Sequence, residues 1–285
     1  MATVLLTVAE CPWRCTMCDL WKHTLQHPTP AGAVVHQLRQ ALAELPSQAN
    51  WIKLYNAGSF FDAKSIPRTD WEAIAELCRP FERVIVENHP RLCGPRMLPF
   101  QELLDGQLEI ALGVESLQPG MLRRLNKGMS RDDIDRALAF HDQHGIDTRA
   151  FVLVRPPWCA EGEAIAWTQL TLRHLLGRGV RHISLIPTRA GNGWLDRLQT
   201  EGRFEPPTIE TLETLHRWAL QQVAAGTANA TSVITVDLWD WPPAGACPHC
   251  AGARGETLHR QNLTQQVMPS THCHDCQRPR SDARA

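Results

Sequence analysis

The sequence predicts an α/β fold: a parallel sheet closed into a barrel or partial barrel of TIM-like (β/α)6 form, with a small Cys-rich appendage at the C-terminus. Three observations predict it. Short β-rich runs, most of them near-continuously apolar as strands covered on both faces are, alternate about six times with helical patterns, the mark of βαβ units. No Gly-x-Gly-x-x-Gly follows the first strand, which speaks against a dinucleotide-binding sheet. A cysteine cluster follows that strand directly, and loops after strand C-termini carry the chemistry of barrel folds.

In chain order, the predicted strands are Val4–Ala9, Trp51–Asn56, Arg83–Glu87, Leu108–Val114, Thr148–Val154, His182–Pro187 and Ser232–Leu238. The first helix, Ala33–Leu45, places Val34, Leu38, Ala41, Leu42 and Leu45 on one face. Thr69 followed by Glu72 reads as a capping box opening Asp70–Arg79, which Pro80 stops. Pro99–Leu104 is a shorter helix. Ser130 with Asp133 starts a helix carrying Ile134, Ala137, Leu138 and His141, and Gly145 ends it. Glu161–Leu176 and Thr208–Ala225 complete the set. These elements form a core domain over residues 1–238. From residue 239 to 285 the chain turns rich in Cys, His, Pro, Gln and Arg, an appendage stapled by metal, with a loose tail after Arg278.

The bulk properties narrow the function. The chain has 285 residues, 43% hydrophobic and 21% charged, with a net charge of −1, so it is globular and has no overall field directed at nucleic acid or an anionic membrane. No stretch approaches ~20 uninterrupted apolar residues, so no membrane span is expected. The N-terminal apolar run lacks a basic group before it and is broken by Thr7 and Glu10, unlike a signal peptide. A cytoplasmic location is the expectation. In a reducing compartment, spaced cysteines serve metals more often than disulfides. Seven of the ten cysteines fall in two spaced groups; Cys78, Cys93 and Cys159 read as small buried hydrophobes.

The first group is Glu10-Cys11-Pro12-Trp13-Arg14-Cys15-Thr16-Met17-Cys18, a Cys-x3-Cys-x2-Cys loop. Three closely spaced thiolates cover three irons of a 4Fe–4S cubane and leave the fourth open to chelation by an amino acid. A zinc loop is the alternative, with a distant fourth ligand such as His23 or His27. With this spacing after the first strand, the chain resembles the radical S-adenosylmethionine (SAM) superfamily. The resemblance implies a 4Fe–4S cluster on Cys11, Cys15 and Cys18, with SAM as its ligand. Met17 stands where the superfamily usually has an aromatic residue, and the resemblance implies that its thioether packs on the adenine. Asn56-Ala57-Gly58-Ser59 stands in place of the Gly-Gly-Glu-type motif that contacts the SAM amino group, so the resemblance implies SAM contacts for Asn56, Gly58 and Ser59; an ordinary glycine turn is the alternative. Gly113-Val114-Glu115-Ser116 matches a strand end that faces the ribose, which gives Glu115 a cofactor-binding and catalytic role; an ion pair with Arg123 or Lys127 is the alternative. Arg155, at the fifth strand end, is a candidate carboxylate fork, for SAM or for substrate, or else a surface arginine. Glu87 and His89 end the third strand and are candidate substrate contacts.

Longer phrases look like a narrower family, the radical SAM subunit of archaeosine synthase and its bacterial relatives. They are Ile52 to Asp62, Val86 to Pro90, Leu185 to Gly193, Asp237 to Asp240 and Arg260 to Gln265. This resemblance implies a 7-deazaguanine-type tRNA base as substrate, with Thr188, Arg189 and Asn192 near it, a reductant such as flavodoxin or ferredoxin, and a partner enzyme. Alternative functions are an RNA or small-molecule methyl- or methylthiotransferase of the superfamily, or a non-catalytic zinc-binding adaptor for RNA or protein.

The second group, Cys247-Pro-His-Cys250 and Cys273-His-Asp-Cys276, forms two Cys-x2-Cys knuckles separated by 22 residues. Four thiolates satisfy a tetrahedral Zn²⁺ and give folding energy to a segment with little core. An auxiliary iron–sulfur cluster is the rival occupant.

Overall fold

The computed structural model describes residues 1–45, 49–226, 232–243 and 246–277. Seven strands, β1 (Ala2–Leu6), β2 (Trp51–Asn56), β3 (Arg83–Asn88), β4 (Gln107–Glu115), β5 (Asp147–Val154), β6 (His182–Pro187) and β7 (Val233–Val236), lie in one sheet in chain order. Every neighbouring pair is parallel, and the sheet curls into a half-barrel. The helices are α1 (Ala33–Glu44), α2 (Trp71–Cys78), α3 (Leu98–Leu103), α4 (Met121–Arg124), α5 (Arg131–Gln143), α6 (Glu161–Gly177), α7 (Trp194–Thr200), α8 (Ile209–Ala224), α9 (Ala251–Thr264) and α10 (His274–Gln277).

The two faces of the sheet differ in chemistry. Ile52, Leu54, Val84, Val86, Leu108, Ile110, Leu112, Val152, Ile183 and Ile234 form one core with Val34, Leu38, Ile74, Ile134, Leu172 and Leu215 of the helices. Strand side chains alternate faces, so the other face carries Lys53, Tyr55, Arg83, Glu109 and Arg149. This face is polar where the apolar runs suggested otherwise, and over β1 it is open, with Leu5 78% exposed. Its charges are matched: Glu109 receives Arg83 at 3.0 Å and Arg149 at 2.7 Å, and Arg83 also reaches Asp147. Paired and hydrogen-bonded in this way, buried charges are tolerated.

The expected box at Ser130 forms: its Oγ accepts from the Asp133 amide (3.2 Å), and Asp133 accepts from the Ser130 amide (2.7 Å). The expected box at Thr69 does not. A 3₁₀ turn, Arg68–Asp70, precedes α2, and Thr69 bonds the Asp70 carboxylate, whose oxygens also accept from the Gly32 amide (2.9 Å). The first strand lies earlier than expected, ending at Leu6, because Val8 turns away to bond the loop at Leu25 (2.9 Å).

Beyond residue 239 the chain supplies α9. Its Leu258 belongs to the main core. Asn262 accepts from the Val236 amide and donates to the Val236 carbonyl, both at 2.8 Å. Gln265 does the same at Ile234 (2.7 and 2.9 Å). Two side-chain amides thus complete the hydrogen bonds of edge strand β7, which would otherwise offer a template for pairing. The expected tail after Arg278 lies outside the described residues.

Candidate active site and metal centre

Cys11, Cys15 and Cys18 follow β1 and line one cavity of about 180 Å³ together with Met17, Asn56, Gly58, Ser59, Glu87, His89 and Glu115. Trp13, Ala111, Gly113, Lys127 and Phe151 also line it. Burial raises all three thiols above their ordinary range, Cys15 to about 11, so ligation has to displace their protons.

The cysteine loop is held from three sides. Trp13 lies flat on the His89 ring, with centroids 3.7 Å apart. It also sits against Gly128, where a Cβ would come within 2.4 Å of the indole. The Thr16 amide donates to the Leu125 carbonyl (3.0 Å), and Asn126 donates to the Arg14 carbonyl (2.8 Å). Asn192 donates to the Thr16 carbonyl (2.7 Å).

His89, expected to contact substrate, is thus a support of this loop. Its Nδ1 accepts from the Arg91 amide (3.3 Å), which leaves Nε2 to donate to the Lys127 carbonyl (2.8 Å). Burial lowers its pKa to about 4, so the ring is neutral. Ser59 is likewise occupied, accepting from the His89 amide (3.0 Å). Gly58 is not required for close approach within the fold: a Cβ there would lie 3.5 Å from Cys11, an ordinary contact.

Glu115 pairs with Lys127 at 2.9 Å, the second of the two partners its sequence offered. Burial disfavours the ammonium, but the adjacent carboxylate outweighs this and the net effect raises the Lys127 pKa. The pair lies over Gly113, where a Cβ would meet Glu115 Oε1 at 2.5 Å and Lys127 Nζ at 2.7 Å. The β4–β5 register shifts between Gly113 and Glu115, and Glu115 takes a left-handed φ of 63° that turns its side chain toward the mouth. Trp13 escaped sequence reasoning, and Lys127 entered it only as an alternative partner of Glu115; Gly128, against which the Trp13 indole packs, was the signal available.

Arg155 is held away from the thiols. It binds Glu161 (2.5 Å), Glu205 (2.7 Å) and the Pro206 carbonyl (2.8 Å), and it does not line the cysteine cavity. Its neighbours explain why: two carboxylates from elsewhere in the chain converge on the strand end, and a guanidinium is drawn to them. Thr188, Arg189 and Asn192 line a second cavity of about 350 Å³ with Asp19, Trp239 and Asp240, and Met17 borders both cavities. Within it, Thr188 donates to the Val154 carbonyl (2.8 Å), and Arg189 binds Asp237 (2.5 Å) and the Trp239 carbonyl.

The second cysteine group is brought together. The Sγ atoms of Cys247, Cys250, Cys273 and Cys276 all lie within 4.8 Å of one another, with Cys247–Cys273 at 3.9 Å and Cys250–Cys276 at 3.5 Å. Thiolates on a tetrahedron with bonds of ~2.3 Å stand about 3.8 Å apart, so the group matches one tetrahedral ion. Cys250 immediately precedes α9, and Trp241 donates to the Ala251 carbonyl at its start (3.0 Å).

No family model matches the chain. An uncharacterized protein of Methanocaldococcus jannaschii is 22% identical over 222 residues, 73% of this chain and 61% of that protein. Among solved structures, Methanocaldococcus infernus Elp3 superposes with a TM-score of 0.57 at 14% identity, over 90% of this chain and 62% of that one. The queuine lyase of Clostridium spiroforme, solved with SAM and queuine bound, superposes with a TM-score of 0.50 at 20% identity, over 64% of this chain and 74% of that one. The chain therefore spans less than two thirds of the archaeal relative and of Elp3. Coproporphyrinogen III oxidase of Escherichia coli, a radical SAM enzyme, superposes with a TM-score of 0.50 at 13% identity, over 79% of this chain and 52% of that one, and the half-barrel described above is the fold shared with it.

Proposed function

We propose that this protein is a radical SAM enzyme that holds a 4Fe–4S cluster on Cys11, Cys15 and Cys18. One observation carries the reading: three thiols of a Cys-x3-Cys-x2-Cys loop line a single cavity at the mouth of a parallel half-barrel, beside a buried amide, Asn56, that has no hydrogen-bond partner. An unpartnered buried amide calls for a ligand. Cys11, Cys15 and Cys18 would hold the cluster, and when bound it would supply the electron for reductive cleavage of the SAM C–S bond to methionine and a 5′-deoxyadenosyl radical, the agent of hydrogen abstraction. The chain's residues supply the rest. The loop clamps orient the thiolates, Phe151 and Ala111 keep water from the inner wall, and Glu115, anchored by Lys127, accepts from ribose hydroxyls.

The chamber beyond Met17 is the proposed substrate site, with Thr188, Arg189 and Asn192 in its wall. A 7-deazaguanine-type tRNA base is the substrate we propose. Its supports are the phrases that resemble the archaeosine synthase family and the queuine bound in the lyase of the same fold. The C-terminal thiols hold one structural Zn²⁺, a reading supported by their spacing. Flavodoxin or ferredoxin is the proposed reductant, a second enzyme the proposed partner and the cytoplasm the proposed location.

Anaerobic reconstitution with iron and sulfide tests the reading. It should give a brown protein with about four irons and one zinc, and dithionite with SAM should release 5′-deoxyadenosine. Cys15→Ala should abolish that release and leave the zinc in place. A colourless protein without SAM cleavage refutes the enzyme reading, and about eight irons refutes the zinc assignment. Mass spectrometry of tRNA nucleosides from cells with and without the protein tests the substrate.

A further inference from the structure

We propose that Glu87, at the end of β3, is the carboxylate that receives the α-ammonium of SAM, with the Asn56 side chain completing its cradle. The inference rests on the radical SAM reading above and moves Glu87 from substrate to cosubstrate.

The β2 loop lacks the glutamate of the Gly-Gly-Glu-type motif. Its own carboxylate, Asp62, accepts from the Lys64 amide (3.0 Å) and does not line the cysteine cavity. Glu87 does line it, one strand over. Its Oε2 accepts from the Asn56 backbone amide at 3.2 Å, so the β3 carboxylate stands against the end of β2, beside the vacant loop position.

The surroundings lack a cation for it. Among the described residues no ion pair forms to Glu87: Lys127 is committed to Glu115 at 2.9 Å, and Lys53 lies over the Tyr55 ring, 5.4 Å from its centroid. Burial pushes the Glu87 carboxyl up to about 8; the Asn56 amide and the more distant Lys127 and Lys53 oppose this only in part. Asn56 Oδ1 and Nδ2 are both buried and without partners. A carboxyl that burial keeps neutral for want of a cation fits a primary ammonium, which brings three donors and the charge that lets the carboxyl ionise. Asn56 Oδ1 takes one donor and Glu87 another. Asn56 Nδ2 stays free for the carboxylate of the same amino acid.

The test uses cluster-loaded protein and equilibrium dialysis with three ligands: SAM, its decarboxylated form, which keeps the ammonium, and its 2-oxo form, which lacks it. Glu87→Gln should weaken SAM and the decarboxylated form about 10- to 100-fold, the loss of a charge-assisted hydrogen bond. The 2-oxo form should bind wild type and variant alike. Because burial favours the neutral carboxyl, Gln is close to isosteric with the resting side chain, and iron content should match wild type. Glu87→Asp, which keeps the charge, should restore part of the preference for the ammonium and covers the case in which Gln impairs folding. Wild type that loads iron but binds no SAM refutes the enzyme reading. Wild type that binds SAM, with Glu87→Gln binding it equally well, refutes the ammonium assignment, as does an equal loss for all three ligands.

Discussion

Lys127→Met should destabilise the protein without its cluster by about 3–5 kcal/mol, because it leaves the Glu115 carboxylate buried without its partner. The magnitude follows from the geometry. The two side chains are 7% and 10% exposed and meet at 2.9 Å, so water cannot replace the ammonium. For a chain of this size each kcal/mol lowers the melting temperature by roughly 2–4 °C, which predicts a fall of about 6–20 °C. Thermal unfolding followed by circular dichroism measures it. The double variant Lys127→Met, Glu115→Gln removes both charges and should recover most of the loss, since the penalty lies in the orphaned carboxylate. A loss below about 1 kcal/mol for the single variant, the range of an exposed pair, would refute the reasoning. So would a double variant as unstable as the single one. Gly113→Ala attacks the same pair sterically and should fall in the same direction, since its Cβ lands on both charged ends.

Four further outcomes follow from other parts of the molecule. Burial lowers His89, His141 and His216 to about 4 and His182 to about 3, so the fold holds all four neutral. Their folded values lie below the unfolded ones, so stability is complete above about pH 6.5 and falls as the pH drops toward 4, by up to ~1.4 kcal/mol per unit for each ring; urea midpoints between pH 7 and 5 measure this, His141→Gln should flatten the slope by one proton, and a flat profile contradicts it. Removing the C-terminal metal with a chelator should release about one zinc per chain and increase amide exchange at the start of α9 and around Trp241, with the thiol loop near Cys15 unaffected; unchanged exchange in α9 would show that the ion does not support the helix. Asn262→Ala strips partners from both polar groups of Val236 and should cost about 1–3 kcal/mol in urea unfolding, with a gain in self-association. Trp13→Ala should lower iron retention after reconstitution and leave zinc unchanged; equal iron would mean the stack does not hold the loop.

Much of the architecture was legible because its signals are local. β2 and β6 begin and end at the residues their apolar runs mark, and the Ser130 box predicted α5 because its two bonds span only three residues. What escaped depends on distant partners. The buried side of α9 is made of Ala251, Arg254, Gly255, Leu258 and Gln261, which carries no apolar period. Arg254 is paid for by Glu210 and Glu213 of α8, and Gly255 admits the Trp241 indole, contacts visible only once the chain is folded. The site divides in the same way. The cysteine spacing placed the thiols, and strand ends placed Asn56, Glu87 and Glu115 on one rim. Arg155 was read from its position alone, and the pull of Glu161 and Glu205 decided its direction.

The cysteine loop itself contains almost no regular structure, so its order has to come from elsewhere. Fixing such a loop costs about 1–2 kcal/mol of backbone entropy per residue. The clamps supply the opposing terms from three directions: the end of β3 through His89, the segment after α4 through Leu125 and Asn126, and the loop after β6 through Asn192. Each of the polar clamps grips backbone, at Arg14 or Thr16, and so leaves the cysteine side chains free to face the cavity. Asn192 has a further partner, since its Oδ1 accepts from the Leu195 amide (2.7 Å) at the start of α7. One side chain therefore ties the thiol loop to the β6 loop and to the helix behind the second chamber. Met17, the residue after Thr16, borders both cavities, so the anchor on the Thr16 carbonyl sits where the thiol cavity and the proposed substrate site share a side chain. A ligand that moves the β6 loop must then also move Thr16, which lies between two of the cysteines. Asn192→Ala should accordingly weaken iron binding although Asn192 is no ligand, and iron retention equal to wild type would show that the two chambers are mechanically independent.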